Sequence, residues 1–424
     1  MRILYVCDRL ITFILNEVIE LQADNDVTLL AFYSEGVFNS ILQPMMIRHG
    51  LEDKYHRYRS YYYPKKKERY IHFVRMLMHD ILVHPVRTLK IMRFIFKNYQ
   101  NPRYGFINYF DVRDMLDQKI DIIHSPFSSP NAIDKVYLLS EVLNVPFTLC
   151  FRAHDIYFRD NLAELQKRTN VIRKAAKVIT IADYNRRYLR DKIDIDGDME
   201  IVHSAINTDL FKPDKHILRS NKSILSVCRL EEDKGVIYLI EACHILNKRN
   251  IDYECTIIGE GPKNGDYEKR IHELIDELRV PNIRFISYMP YSEIKEHLNR
   301  ATVFVLPSVI ASQGNRDILA NVLKEAMATE LPVITSNMCG IEELVDDGIN
   351  GILVSPKDPA AIADAVVKVF ENPGLGREMG AEGRKKIAKD FNVIIESKKL
   401  GRIFGKIIEH EQTGAVSKEF LSSF

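Results

Sequence analysis

Short apolar runs recur along this chain between amphipathic helical stretches, and this alternation limits the possible folds more than any other feature. In the first half the runs are Ile3 to Val6, Val27 to Phe32, Ile120 to His124, Phe147 to Phe151, Val178 to Ile181 and Glu200 to Val202. In the second half they are Ser223 to Val227, Glu254 to Ile258, Ile283 to Phe285, Val303 to Leu306, Pro332 to Thr335 and Gly351 to Val354. Strands apolar on both sides and separated by helices predict parallel sheets covered by helices on both faces, an α/β class. The series restarts near Ser223, after the polar stretch Phe211-Lys212-Pro213-Asp214-Lys215. A chain of 424 residues is too long for one ordinary core. Two doubly wound domains are therefore expected, residues 1–212 and 213–392, with a helical pattern in 393–424. In open parallel sheets the ligand crevice lies at the carboxyl ends of the strands, so two such domains face to face make a cleft.

The net charge of +1 excludes a global field for nucleic acid, and no recognised nucleic-acid module accompanies the local basic stretch; no nucleic-acid partner is expected. The six cysteines are scattered without CxxC spacing and mostly sit in apolar runs, which reads as buried thiols in a reducing compartment. The first strand lacks the apolar length of a signal peptide, and no segment reaches the roughly 20 apolar residues of a membrane span. A cytoplasmic location is the expectation.

Between Lys54 and Arg103 lies a basic segment: Lys54, Arg57, Arg59, Lys65, Lys66, Lys67, Arg69, Arg75, Arg87, Lys90, Arg93, Lys97 and Arg103 face only Glu68 and Asp80. Tyr61, Tyr62, Tyr63, Phe73, Met76, Leu77, Leu89, Ile91, Phe94 and Phe96 are interleaved with them. This insertion, about 54–110, suits an anionic membrane surface contacted through 54–103 and a peripheral position on the inner face of the membrane. It also suits helices packed on the first domain with a solvated basic face.

The chemistry-bearing residues concentrate in the second half. Ser223 to Gly235 reads as strand, turn and helix start, with Arg229 and Lys234 just past the strand end. Two cations beside a helix N-terminus suit a diphosphate, and they would also stabilise the charge it gains on leaving. Taken alone, an Arg and a Lys five apart are usually surface charges. Asp317 and Glu325 are eight residues apart, about 12 Å along a straight helix. That exceeds the roughly 5–9 Å of a glycosidase carboxylate pair, so the two acids are expected to hold different parts of one ligand. Without further context Glu325 also reads as an exposed helix acid.

Together these pieces resemble the family 4 glycosyltransferases of the GT-B fold, over nearly the whole chain. The resemblance rests on Cys228-Arg-Leu-Glu-Glu-Asp-Lys-Gly235, Ile257-Ile-Gly-Glu-Gly-Pro262, Val305-Leu-Pro-Ser308, Asn321-Val-Leu-Lys-Glu-Ala-Met-Ala328 and Gly340-Ile-Glu-Glu-Leu-Val-Asp-Asp-Gly-Ile-Asn-Gly351. Thr12-Phe-Ile-Leu-Asn-Glu17, Asp121-Ile-Ile-His124 and Phe151-Arg-Ala-His-Asp155 resemble the branch that builds bacterial surface polysaccharide and lipopolysaccharide.

The resemblance implies two Rossmann-like domains facing across a cleft, the first on the acceptor side, with 393–424 crossing back to it. It further implies a retaining glycosyltransferase that takes a nucleotide diphosphate sugar and passes the sugar to a glycan or lipid-linked acceptor. Arg229 and Lys234 would bind the donor diphosphate, Asp317 the donor sugar and Glu325 the ribose hydroxyls. His154 matches the cleft histidine near the transferring carbon. Glu260 and Tyr288 would border the nucleotide, with Ile318, Asn321 and Val322 in the phosphate-facing loop and helix start. The sequence departs from the family pattern at Asp317, one methylene shorter than the usual Glu, and at Ile318 and Ala320.

No metal or other cofactor is expected. Asp194-Ile-Asp196 matches a DxD metal pattern in letters but sits in a polar loop far from the second-domain motifs. A nicotinamide dehydrogenase is disfavoured because no GxGxxG follows the first strand, and no pyridoxal lysine site marks a phosphorylase. The competing reading from another class is a non-catalytic nucleotide-binding or scaffold subunit.

Overall fold

A computed structural model describes residues 1–31, 42–195, 198–262, 265–287, 289 and 291–422. Two all-parallel sheets organise it. The first contains β1 (Arg2–Cys7), β2 (Asp26–Ala31), β3 (Tyr55–Arg57), β4 (Ile122–Ser125), β5 (Phe147–Phe151), β6 (Lys177–Thr180) and β7 (Met199–Ile201), in the order β3-β2-β1-β4-β5-β6-β7. The second contains β8 (Ser223–Val227), β9 (Glu254–Ile258), β10 (Ile283–Ile286), β11 (Val303–Leu306), β12 (Val333–Ser336) and β13 (Ile352–Val354), in the order β10-β9-β8-β11-β12-β13. β4, β5, β11 and β12 are buried along their whole length, as two-sided apolar strands between helical layers must be.

Both sheets reverse strand order beside their first strand, at β1/β4 and at β8/β11. Ligand crevices form at such switch points, because the helices that follow the two strands pack on opposite faces and leave a gap. Register fixes the gap: Tyr5 pairs with His124 across β1 and β4, and Val303 with Ile224 across β11 and β8.

Two expectations are corrected. The segment read as purely helical from residue 54 opens with the edge strand β3, which the basic composition concealed. β4 begins at Ile122 rather than Ile120. Phe32, expected at the end of a strand, lies outside the described residues.

After β3 come the insertion helices Lys66–Val83, Pro85–Asn98 and Pro102–Val112. Asp80, one of the segment's two acids, ties them together. Its buried carboxylate accepts from Arg113 Nε at 2.5 Å, from Arg113 Nη2 at 2.7 Å and from the Tyr109 hydroxyl, while its backbone carbonyl accepts from Thr88 Oγ1 at 2.8 Å. Burial opposes the charge, but the Arg113 and Tyr109 hydrogen bonds outweigh it and hold the carboxyl below its usual value.

The chain crosses between the sheets twice, and the two crossings are bonded together: Ile206 N donates to Phe391 O and Val393 N to Ile206 O, both at 3.0 Å. The long helix Val393–Ser422 then lies on Thr12–Leu21 of the first half. Leu400, Ile403, Phe404 and Ile407 are buried there, and the Phe404 ring sits 5.1 Å from that of His124. The last helix thus belongs to the first core. Phe404→Ala is expected to cost about 3–5 kcal/mol, read as a lower denaturant midpoint; an unchanged midpoint would show that the helix is only loosely laid on.

Candidate active site

The second switch point brings together residues 83 positions apart. The turn after β8 carries Lys234, and the loop after β11 carries Asp317. Lys234 Nζ bonds Asp317 Oδ1 and lies 3.0 Å from Asp233 Oδ2, while Ser308 Oγ donates to Asp317 Oδ2 at 2.6 Å. Burial works against the Lys234 charge, yet Asp317 and then Asp233 prevail and raise its pKa above the ordinary lysine value. Gly235 lets the turn close. Its φ is +64°, and a Cβ there would lie 1.9 Å from the Pro307 carbonyl oxygen. Helix Val236–Lys248 starts at the next residue, leaving its first N–H groups at the crevice.

The other expected donor residues lie along the same carboxyl edge. Arg229 is exposed and pairs with Glu231 at 2.9 Å, so it is the outer cation and Lys234 the inner one. Glu260 follows β9; its side chain is exposed, and its carbonyl accepts from Leu230 N at 3.1 Å. Tyr288 lies outside the described residues, as does Asp196 of the DxD-like triplet; Asp194 is paired with Arg173 at 2.5 Å. Helix Asn321–Ala328 begins with Asn321, whose Oδ1 accepts from Ser204 Oγ at 3.3 Å, and Val322 is half-buried. The reading of Glu325 as an exposed acid is overturned, for its residue is only 4% exposed. Ile318 is buried and is not the left-handed residue of the loop. That conformation falls one position later, on Leu319 at φ 51°, where a side chain costs about 1–2 kcal/mol.

Across the cleft, His154 follows β5, exposed and stacked on Phe158 with ring centroids 5.0 Å apart. Partial burial, together with Arg9 and Arg229, lowers its pKa. The imidazole therefore feels a cation from each half of the chain. Beneath it, Asp155 accepts the Arg152 backbone N–H at 3.0 Å, and burial pushes its carboxyl up to about 6. Arg152 donates to Glu17 at 3.0 Å and to the Pro126 carbonyl at 2.7 Å.

One cluster escaped the sequence reading. At the first switch point Asp8, after β1, accepts from Asn131 Nδ2 at 3.0 Å and from Ser129 Oγ, and the Tyr58 hydroxyl approaches at 3.5 Å. Ser129 also caps helix Pro130–Leu143 by accepting from Ala132 N, at 3.2 Å. The signal was the strand order itself, which is not visible in any single motif.

The two halves are pinned beside the site. Glu343 accepts from the Asp183 and Tyr184 backbone N–H groups at 2.8 and 2.9 Å, capping helix Asp183–Ile193 of the first half. Gly340 makes room for this contact, since a Cβ there would be 2.7 Å from Tyr184 Cβ. Arg316 lies over the Tyr157 ring at 4.6 Å and donates to the Tyr184 hydroxyl at 3.2 Å. Lys324, fully buried, donates to the Ser204 carbonyl. Among the described residues no group of three or more His, Cys, Asp or Glu is arranged to hold a metal.

Two facing parallel sheets with a charged crevice at the switch point of the second define the GT-B class of nucleotide-dependent transferases. Residues 47–210 match the family model described as Glycosyltransferase Family 4, and residues 208–386 match Glycosyl transferases group 1. The chain belongs to the GT-B glycosyltransferases of the family 4 type. It is 33% identical over 185 residues to the amylovoran biosynthesis glycosyltransferase AmsK of Erwinia amylovora, an alignment covering 43% of this chain and 44% of AmsK. It is 26% identical over 294 residues to the alpha-D-kanosaminyltransferase of Streptomyces kanamyceticus, covering 64% and 73% of the two chains. The matched region thus spans less than half the length of AmsK. The fold is shared with Anabaena HepE, solved in complex with UDP-glucose, at a TM-score of 0.71 and 15% identity over 96% of this chain and 100% of that one.

Burial, reinforced by Arg152, lowers the Lys324 ammonium to about 7 from its ordinary 10.5. Between those values the unfolded chain binds a proton that the folded chain does not, so stability rises with pH across this window. Below pH 7 the burial cost is fully present. Lys324→Met should accordingly stabilise the protein at pH 6 by on the order of a few kcal/mol, with a gain that shrinks towards pH 10. Melting curves showing a pH-independent effect would contradict the assignment.

Proposed function

We propose that this protein is a retaining, metal-independent glycosyltransferase that moves a sugar from a nucleotide diphosphate donor to a glycan or lipid-linked acceptor in surface polysaccharide biosynthesis. The observation that carries the reading is the Lys234–Asp317 pair at the β8/β11 switch point, with Arg229 outside it. In this reading the diphosphate lies across Lys234 and Arg229 and the first turn of helix Val236–Lys248. Their positive charge stabilises the phosphate oxygens as the glycosidic bond breaks. Asp317, held by Lys234 and Ser308, faces the donor sugar, and Glu325 takes the ribose hydroxyls. His154, its pKa lowered by partial burial and then by Arg9 and Arg229, donates or accepts a hydrogen bond at the sugar. The acceptor hydroxyl approaches from the first sheet, where Asp8 marks the matching crevice, and attacks the face from which the diphosphate leaves. The name of AmsK supports polysaccharide as the acceptor class.

Removing either cation should weaken binding of a nucleoside diphosphate sugar. For Arg229→Ala the loss is about 10–100-fold, the worth of a charge-assisted hydrogen bond. Lys234→Ala should cost more, because it leaves Asp233 and Asp317 without their counter-charge. Titration calorimetry over a panel of nucleotide sugars tests this, and an unaltered affinity in the double variant would refute the site. Inversion at the anomeric carbon, seen by NMR of the product, would refute retention. Loss of turnover with a chelator would refute metal independence.

A second part of the proposal places the protein on the inner face of the membrane through the basic insertion. Among the described residues, twelve of the twenty exposed large apolar side chains fall between Tyr62 and Tyr104. On helix Lys66–Val83, Tyr70, Ile71, Val74, Met78, Ile81 and Leu82 form one exposed stripe at helical spacing. No described helix is long and apolar enough to cross a membrane. Such a face suits the headgroup boundary. Replacing Lys65, Lys66 and Lys67 with Glu should weaken partitioning onto anionic vesicles by roughly fivefold or more per charge removed, and unchanged co-sedimentation would argue against this surface.

A further inference from the structure

The insertion hairpin turns at His84, between helices Lys66–Val83 and Pro85–Asn98. Around this turn Leu82 is 78%, Val86 82% and Leu89 69% exposed. Beside them is a recess of about 440 Å³ lined by His84, Pro85, Val86, Arg87, Lys90 and Val142, three of them basic and none acidic. Arg87 is anchored on one side, where Nη1 donates to Asp117 Oδ1 at 2.7 Å and to the Leu116 carbonyl at 3.1 Å. Its Nε and Nη2 are buried without any hydrogen-bond partner. Buried donors are nearly always satisfied, so this shielded edge is costly as it stands, and turning the partly exposed guanidinium into the adjoining basic recess would pair it with an acceptor from outside the chain. That edge presents two N–H groups in the geometry that grips a phosphate. In the first turn of helix Pro85–Asn98, Pro85 has no N–H and Thr88 N already donates to the His84 carbonyl at 2.9 Å, so the backbone adds at most the Val86 and Arg87 N–H groups.

We propose that this turn is a phospholipid-headgroup site, with the lipid phosphate held by Arg87 and Lys90 beside His84 while Leu82, Val86 and Leu89 enter the acyl boundary. The inference rests on the membrane reading above and deepens it, moving the specific contact from the lysine run at the start of the first helix to the turn at its end. The 18 residues of that helix span about 27 Å, so the two ends are separate contacts. The charge and the apolar surface together choose the occupant. A free anion would satisfy Arg87 and leave three large side chains in water, and an apolar partner surface would leave Arg87 unpaired. A phospholipid satisfies both.

The test is co-sedimentation of the full chain with vesicles of phosphatidylcholine alone or mixed with phosphatidylglycerol, with melting curves run on each variant. Arg87→Gln/Lys90→Gln is expected to lose roughly 25-fold in partitioning onto the mixed vesicles, about fivefold per charge, and little on the neutral ones. Arg87 also holds Asp117, whereas Lys90 makes one exposed hydrogen bond, to the Val142 carbonyl at 3.3 Å, so Lys90→Gln alone serves as the milder variant, with about a fivefold loss and a melting curve close to the parent's. Leu82→Ser/Val86→Ser is expected to abolish binding to both vesicles. If Arg87→Gln/Lys90→Gln binds like the parent while the Lys65–Lys67 variant does not, the headgroup site is wrong and the broader membrane reading survives. No partitioning of the parent protein onto either vesicle would overturn both. Protection of the residue 85–90 amides by inorganic phosphate alone, equal to that given by vesicles, would make this a free-anion site and overturn the lipid assignment. A parent dimer that Leu82→Ser/Val86→Ser converts to monomer with vesicle binding intact would make the turn a self-association surface instead.

Discussion

A lysine ammonium held between two carboxylates at the place where the second sheet reverses its strand order governs the rest of this structure. A buried cation is costly unless paired, and Lys234 is paired twice, by the neighbouring Asp233 and by Asp317 from another strand. The double pairing fixes the direction of the side chain and ties the β8 turn to the loop after β11. That loop carries Leu319 in a left-handed conformation, which persists only where surrounding contacts over-determine it. Gly235 and Pro307 supply one such contact and the Ser308–Asp317 hydrogen bond another. If a diphosphate binds here as proposed, it meets a cation already oriented and shares Lys234 with Asp317, so the family's usual Glu and this chain's shorter Asp would differ in how far the acid can follow the sugar while keeping the lysine.

Facing sheets make a site only if their relative position is defined, and the contacts responsible are polar and local. Glu343 acts as the missing cap of a helix in the other half, where a carboxylate meets the positive end of the helix dipole. Arg316 binds an aromatic face and a hydroxyl of the same half, and it is the residue before Asp317. The pinning contact and Asp317 are therefore consecutive along one backbone, so movement between the halves is felt directly at Asp317. Lys324 and Glu325 repeat the arrangement, one bonded to the other half through the Ser204 carbonyl and its neighbour the acid proposed to hold the donor ribose. Held in this position, His154 of the first half lies within the electrostatic influence of Arg229 of the second.

The sequence alone carried the two parallel sheets, because two-sided apolar strands advertise themselves through period and length. It also pointed to the loops after β8 and β11, which the structure brings together through Lys234 and Asp317, because those residues sit in short motifs just after strands. What stayed hidden depends on pairings between distant segments. β3 reads as part of a basic helical stretch, since an edge strand of three half-buried residues lacks an apolar run. Asp8, Ser129 and Asn131 are ordinary polar residues until strand order places β1 beside β4. Ile318 departs from the family pattern, but side-chain size does not fix which residue of a loop takes the left-handed conformation; here Leu319 does. The exposed face of the hairpin was equally illegible, because the apolar periodicity of a helix does not say which stripe a neighbouring core will cover.

The hairpin and the first crevice are joined through one short stretch of chain. Tyr58 ends the segment after β3, with its hydroxyl towards Asp8 and its ring under the Lys135 ammonium at 4.5 Å. Arg59 and Ser60 follow at once, fastened to Asp114 and Asp111, and the first insertion helix begins six residues later. At its far end Asp80 bonds Arg113, the neighbour of Asp114. The helix is thus tied at its far end, and the chain just before its near end is tied, to the neighbouring residues Asp111, Arg113 and Asp114. If the outer face of the helix rests on a bilayer, the orientation of the Asp8 crevice relative to the membrane is set by these ties, and an acceptor held in the bilayer by its lipid is presented to the cleft at a fixed height. Positioning of this kind raises the effective concentration of acceptor without any additional contact at the reacting hydroxyl.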